Sequence, residues 1–130
     1  MLNKALISIV DDDESVREAM QALMKSLGFA AESFASAEEF LASESRNRAA
    51  CLITDLQMPG LTGLGLVDRL VALGRSIPTI LITAYPDERA RARALKAGIV
   101  CYLVKPFKEG DLLTCIHSVL ERCDDERRGS

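Results

Sequence analysis

The chain has 130 residues, enough to bury a core as a single domain. Its 48% hydrophobic and 27% charged residues are ordinary for a soluble globular protein, and its net charge of −3 argues against binding to nucleic acid or an anionic membrane. No run approaches the ~20 apolar residues of a membrane helix, and the first residues lack signal-peptide architecture. These features predict a cytoplasmic protein.

The first predicted elements are a buried strand and an amphipathic helix. The apolar run Ala5–Val10 is typical of a strand buried on both faces of a parallel sheet. Apolar residues then recur at intervals of three and four, which predicts a helix that ends at Gly28. These residues are Val16, Met20, Leu23 and Leu27.

The next elements repeat the alternation of strand and helix. A short strand is predicted at Ala30–Phe34, and Ser36 with Glu39 forms a capping box that begins a helix reaching about Leu41. Cys51–Thr54 is a further buried strand, and it ends at Asp55.

The second half of the chain shows the same alternation. A loop rich in Pro and Gly precedes a helix ending near Gly74, a strand ends at Thr83, and a strand over Val100–Val104 is followed by Lys105 and Pro106. The last two helices are predicted over Pro86–Ala97 and Gly110–Cys123. The helix over 86–97 carries Arg89, Arg91, Arg93 and Lys96 on what we interpret as a solvated face.

Five strands that alternate with five helices predict an α/β fold, with a doubly wound parallel sheet covered by helices on both faces. We place the domain at residues 1–123 and interpret the polar residues 124–130 as a tail or the start of a linker. The four cysteines form no CxxC pair, so reduced thiols are favoured over disulfides or zinc.

Polar residues follow four of the strands, where the strands themselves do not need them. Asp11 and Asp12 follow the first strand, Asp55 and Thr83 follow the two central ones, and Lys105 follows the last. Parallel sheets place their chemistry at the carboxyl ends of the strands. Two carboxylates ~4 Å apart repel by roughly 4 kcal/mol at an effective dielectric near 20, so a cation is expected beside them. Carboxylates suit Mg²⁺, and an ammonium and a hydroxyl opposite it suit a phosphoryl group.

Four strings of the sequence resemble the receiver domain of two-component response regulators. They are Ile9–Asp13, Thr54–Gly60, Ile82–Tyr85 and Tyr102–Phe107, in that order and at suitable spacings. The resemblance extends from about Lys4 to Leu120. The segments Thr83–Asp87 and Lys105–Phe107 are most similar to FixJ-type regulators, which pair a receiver with a helix-turn-helix output domain. The resemblance implies the flavodoxin-like strand order 2-1-3-4-5.

The resemblance also implies roles for the residues at the strand ends. Asp55 would be the phosphoacceptor and a ligand of Mg²⁺. Asp12 would bind the ion directly, Asp11 would hold it directly or through water, and the backbone carbonyl of Gln57 would add a ligand. Lys105 would pair with Asp55 at rest and then with the phosphoryl oxygens, and a cis bond before Pro106 would aim it into the site. Asp13, which directly precedes a helix, is interpreted as an N-cap and not as a ligand.

A switch is the second implication of the resemblance. Thr83 would turn inward to hydrogen-bond the phosphoryl group, and Tyr102 would follow it into the vacated space. Gln57 and Tyr85 occupy positions that tune phosphate hydrolysis in the family, and a bulky Tyr85 predicts a long-lived phosphorylated state. The partners implied are a sensor histidine kinase, a second copy of the chain in a phosphorylation-dependent homodimer, and an output domain in a longer chain.

Two other functions are weighed against the switch. A hydrolase of the haloacid dehalogenase type uses a similar aspartate, but it needs a second aspartate at the position of Gln57. A pseudo-receiver that only binds proteins would be expected to lack an acidic or acceptor residue, and none is missing. The switch therefore remains the favoured function, without turnover of an external substrate. The sequence leaves open whether the receiver stands alone or belongs to a longer regulator, and the polar tail favours the latter.

Overall fold

A computed structural model of the chain describes the backbone of residues 5–129 and the side chains of residues 5–120. Its five parallel strands form one sheet in the order β2-β1-β3-β4-β5, which confirms the predicted fold and strand order. The strands are β1 Leu6–Val10, β2 Ala30–Phe34, β3 Cys51–Asp55, β4 Thr79–Thr83 and β5 Cys101–Val104. The helices are α1 Glu14–Ser26, α2 Ala37–Ala42, α3 Gly63–Ala72, α4 Glu88–Lys96 and α5 Glu109–Gly129.

The three central strands, β1, β3 and β4, are buried because helices cover both faces of the sheet. Successive residues of a strand point to opposite faces. On one face, the central strands pack against α1 and α5 through residues such as Ile53, Met24 and Ile116. On the other face they pack against α2 and α3, for example through Leu52 and Phe40. A third cluster, which includes Leu81 of β4 and Ala94 of α4, lies between α3 and α4. The sequences of these central strands are therefore mostly apolar.

Most element boundaries agree with those predicted from the sequence to within two residues. α4 begins at Glu88 and not at Pro86, because the side chain of Asp87 caps it by accepting from the backbone N–H of Arg89. The backbone of α5 continues to Gly129, past the predicted end at Cys123. The proposed domain boundary at residue 123 stays a prediction. A 3-10 helix at Glu44–Asn47 was not predicted.

The prediction for the cysteines is wrong for one pair. Cys101 of β5 and Cys115 of α5 are joined in a disulfide, with their Cα atoms 6.1 Å apart. The pairing arises because α5 packs across the sheet, and this brings together two residues that are 14 apart in sequence. The spacing of the cysteines did not predict this disulfide, because the pairing depends on how α5 packs on the sheet. Cys51 is buried as predicted, and the side chain of Cys123 lies outside the described residues.

No helix in the described part of the chain is both long enough and apolar enough to cross a membrane. This finding agrees with the hydropathy of the sequence. The cytoplasmic location stays a prediction.

Asp13 caps α1, as predicted. Its side chain accepts from the backbone N–H groups of Ser15 and Val16, at 2.9 and 3.2 Å. We expect Asp13→Ala to lower the free energy of unfolding by about 1 kcal/mol, because it exposes helix N–H groups without a partner. Urea denaturation measures this change, and Asp13→Asn, which keeps a capping oxygen, is the control. An unchanged midpoint for Asp13→Ala would show that the cap contributes nothing.

Candidate functional site

The candidate site lies at the edge of the sheet where the parallel strands end. Backbone hydrogen bonds continue between the strands just past their ends, and they set the positions of the polar residues. The N–H of Asp11 donates to the carbonyl of Phe34 at 3.1 Å, and the N–H of Lys105 donates to the carbonyl of Thr83 at 2.8 Å. The residues predicted to converge therefore share one edge.

Three carboxylates form the centre of this site. Asp11, Asp12 and Asp55 each offer an oxygen, and these oxygens lie within 4.8 Å of one another. Asp11 and Asp55 are only 5% and 8% exposed, whereas Asp12 is open to solvent. The cluster is thus half buried, with one side from which water or a ligand can enter.

Among the described residues, Lys105 is the cation that forms ion pairs with these carboxylates. Its Nζ lies 3.0 Å from Oδ2 of Asp55 and 3.6 Å from Oδ2 of Asp11. Burial by itself would lower the pKa of Lys105, but the hydrogen bond to Asp55 and the charges of Asp11 and Asp55 outweigh it, so the pKa is raised. The ammonium therefore stays charged. The peptide bond between Lys105 and Pro106 is cis, as the resemblance implies.

The pKa of Asp11 is shifted by its position in this cluster. Burial, together with the negative charges of Asp55 and Asp12, raises the pKa of Asp11 above its ordinary value. A hydrogen bond from the backbone N–H of Asp13 and the charge of Lys105 oppose this shift but do not cancel it. Burial is the largest cause, so the raised pKa of Asp11 reflects mainly the removal of its carboxylate from water.

Asp55 is held firmly on both oxygens. Oδ1 accepts from the backbone N–H of Gln57 at 3.1 Å, and Oδ2 accepts from Lys105. Gly63, at the start of α3, packs so closely on β3 that an added Cβ would come within 2.5 Å of the backbone carbonyl oxygen of Asp55. A side chain at this position would therefore push the acceptor strand away from α3.

Thr83 is fully buried and uses its hydroxyl twice. Its Oγ1 donates to Oε1 of Gln57 at 2.7 Å and accepts from the backbone N–H of Tyr85 at 3.0 Å. The side chain of Tyr85 itself is 74% exposed. Thr83 and Gln57 are thus linked directly, which the sequence did not indicate.

Comparison with known proteins agrees with this geometry. The family model described as "Response regulator receiver domain" matches residues 7–117. The chain belongs to this receiver family. Membership decides against the haloacid dehalogenase alternative, because the match spans the fold and every strand-end residue of the site.

Individual relatives of the receiver domain support the same assignment. Response regulator protein TodT of Pseudomonas putida is 39% identical over 123 residues, covering 95% of this chain and 54% of TodT. Transcriptional regulatory protein FixJ of Azorhizobium caulinodans is 32% identical over 122 residues, covering 94% of this chain and 58% of FixJ. The chain therefore spans about half the length of the curated relatives it matches.

Solved structures match over nearly the whole receiver domain. The structure of the response regulator StyR has a TM-score of 0.89 at 38% identity, covering 98% of this chain and 64% of StyR. The structure of FixJ-N has a TM-score of 0.84 at 36% identity, covering 92% of this chain and 96% of that one. The similarity to FixJ-type regulators noted from the sequence is thereby supported.

Tyr102, the second predicted switch residue, lies on β5 and packs against the cluster between α3 and α4. Its ring is half buried, and its hydroxyl is buried without a hydrogen-bond partner among the described residues. The switching role of Tyr102 stays a prediction.

Sequence reasoning missed two contributors to the site of the receiver domain. Arg17 of α1 donates from Nη1 to the backbone carbonyl of Asp11 at 2.7 Å, which anchors the end of β1. Glu38 of α2 accepts from the backbone N–H of Leu61 at 3.2 Å, which fixes the loop after β3. Such contacts could not be predicted from the sequence, because a charged residue on an amphipathic helix is expected on the solvated face.

Proposed function

We propose that this receiver domain is a phosphorylation-activated switch that accepts a phosphoryl group on Asp55. The observation that carries the proposal is the environment of Asp55, a nearly buried carboxylate at a strand end with Lys105 at 3.0 Å and two further aspartates beside it. A carboxylate in this position can act as a nucleophile and form an acyl phosphate. Asp11, Asp12 and Lys105 are then available to hold and neutralise the reacting groups.

The acidic cluster fits Mg²⁺. Its donors are carboxylate oxygens, Asp12 faces solvent, and Mg²⁺ prefers oxygen ligands while keeping several waters. Asp11, Asp12, Asp55 and the backbone carbonyl of Gln57 would hold the ion. When bound, Mg²⁺ would supply positive charge that neutralises the phosphoryl oxygens and the carboxylates.

The transfer itself follows from the positions of the protein groups. An oxygen of Asp55 attacks phosphorus, so that a P–O bond forms while the P–N bond to the kinase histidine breaks and the imidazole leaves with the electron pair. Lys105 gives up its pairing with the ionised Asp55 and donates to the new phosphoryl oxygens. The donor is a sensor histidine kinase or a small acyl phosphate. With an acyl phosphate, the bond that breaks is its own P–O bond, and a carboxylate leaves with the electron pair. The domain acts only on itself and turns over no external substrate.

The output of the switch lies on the surface formed by α4, β5 and α5. Leu95 of α4 and Val104 of β5 are exposed apolar side chains, at 48% and 40%. Val104 and Arg91 of α4 line the same groove. Changes at Thr83 and Tyr102 reach this surface because both residues lie on the strands that support it. We propose that phosphorylation alters this surface to control homodimerisation or an output domain, by analogy with longer relatives such as transcriptional regulatory protein FixJ, of whose length the match covers 58%.

Phosphorylation of the full chain by acetyl phosphate with Mg²⁺ tests the proposal. We expect intact-mass analysis to show one phosphoryl group on the wild type and on Asp68→Asn, an exposed aspartate of α3, and none on Asp55→Asn. Sizing chromatography of the adduct then tests dimerisation. Absence of an adduct that depends on Asp55 would contradict the proposal and favour a protein-binding module. An adduct that stays monomeric would contradict the dimer.

Tyr85 gives a prediction about the lifetime of the phosphorylated state. Its position two residues after Thr83 predicts that the ring shields the phosphoryl group from attacking water. We expect Tyr85→Ala to shorten the half-life of the acyl phosphate several-fold, measured by loss of the mass adduct after removal of the donor. Tyr85→Phe, which keeps the ring, is the control. Slower phosphate release from Tyr85→Ala than from the wild type would contradict the shielding.

A further inference from the structure

The side chain of Gln57 is hydrogen-bonded to the hydroxyl on which the proposed switch depends. We propose that Gln57 is a positioning residue that holds Thr83 in its resting orientation and competes with the phosphoryl group for the hydroxyl hydrogen. The inference rests on the proposed function, since it concerns the energy that phosphorylation needs to move Thr83.

The hydrogen-bond count of Thr83 supports this role. A hydroxyl has one hydrogen to donate. The backbone N–H of Tyr85 points at Oγ1 from 3.0 Å, so this oxygen accepts there and directs its own hydrogen to Oε1 of Gln57 at 2.7 Å. The hydrogen that a phosphoryl oxygen would need is therefore already in use. Thr83 must break this bond before it can serve the phosphoryl group.

Gln57 is the one side chain hydrogen-bonded to Thr83 within the described residues 5–120. Gln57 is exposed, yet its amide is committed to a hydroxyl that is fully buried. Its backbone N–H meanwhile donates to Oδ1 of Asp55 at 3.1 Å. One residue therefore contacts both the acceptor carboxylate and the switch hydroxyl, and only its side chain contacts the hydroxyl.

Because the backbone of Gln57 contacts Asp55 and its side chain contacts Thr83, a substitution can remove the contact to Thr83 alone. Gln57→Met keeps the length of the side chain and the backbone N–H to Asp55, but it removes the acceptor for Thr83. The resting orientation of Thr83 then loses a hydrogen bond, whereas the orientation toward the phosphoryl group keeps its own. We expect the affinity for beryllofluoride, a phosphoryl analogue that binds the acceptor aspartate, to rise about two- to tenfold at saturating Mg²⁺.

A double-mutant cycle separates this effect from other consequences of the substitution. Thr83→Val removes the hydroxyl and keeps the branched shape, so Gln57→Met in that background should leave the affinity for beryllofluoride unchanged. Gln21→Leu is a matched control, because Gln21 accepts from the hydroxyl of Ser33 at 2.8 Å, outside the site. It should have no effect on the affinity.

Fluorine NMR titration of beryllofluoride into the full chain provides the measurement. A gain in affinity from Gln57→Met that requires Thr83 supports the positioning role. The same change with and without the Thr83 hydroxyl, or no change in either background, would overturn it and leave the switch intact. Failure of wild-type protein to bind beryllofluoride through Asp55 would instead overturn the proposed function itself.

Discussion

Replacing Lys105 with methionine should slow phosphorylation of Asp55 by acetyl phosphate by roughly two orders of magnitude, the scale seen when one preorganised charged or hydrogen-bonding group is removed from a transition state. Lys105 is ion-paired with the acceptor, with its Nζ 3.0 Å from Oδ2 of Asp55. Methionine has a similar length but cannot donate, so the charge that develops on the transferring oxygens would lose its partner. The rate is measured from the growth of the phosphorylated mass with time.

Two controls isolate the role of Lys105. Lys108→Met removes an exposed lysine from the segment that follows and should leave the rate unchanged. Lys105→Arg keeps the charge but replaces a compact ammonium by a planar guanidinium, and we expect it to recover only part of the rate. A rate for Lys105→Met within about twofold of the wild type would show that the ion pair to Asp55 is structural only.

The sequence predicted the sheet well because parallel strands buried on both faces leave an unusually clear pattern. Continuous apolar runs such as Ala5–Val10 and Cys51–Thr54 correspond to β1 and β3 within one residue. The strand order is different in kind. No local pattern of residues encodes which strands are neighbours, and the order 2-1-3-4-5 came from the resemblance to receiver domains.

The sequence predicted the site residues that lie at strand ends. It did not predict the contacts that depend on how side chains and helices pack. The carboxylates and Lys105 lie at strand ends, so parallel topology alone brings them to one edge. The bond between Thr83 and Gln57 depends on a loop side chain turning back onto a buried hydroxyl. The disulfide between Cys101 and Cys115 depends on how α5 packs on β5. Neither contact produces a periodic pattern in the sequence, so neither could be predicted from it.

Asp11→Asn should stabilise the domain in the presence of EDTA by about 1 kcal/mol at neutral pH, the scale of other gains from improved charge placement. Asp11 is buried beside two further carboxylates, and burial with these charges raises its pKa above 3.8. Below pH 3.8 the carboxyl is protonated in the folded and unfolded chains, so the variant and the wild type should be equally stable. As pH rises through the raised pKa, the unfolded chain releases the proton more readily, and the wild type loses stability relative to the variant.

In the presence of Mg²⁺, the wild type should instead be more stable than Asp11→Asn. A ligand that binds only the folded state stabilises it by about 2.7 kcal/mol at a concentration of 100 times its dissociation constant. Asp11→Asn removes one of the three clustered carboxylates, so Mg²⁺ should raise the melting temperature of the wild type far more than that of the variant. Asp13→Asn is the matched control, because it removes a charge from the same triplet but keeps the cap of α1 and leaves the cluster complete. If Asp13→Asn lost the response to Mg²⁺ as Asp11→Asn does, the cluster of Asp11, Asp12 and Asp55 would not be the metal site. If both variants kept that response, Asp11 would not be a ligand of Mg²⁺.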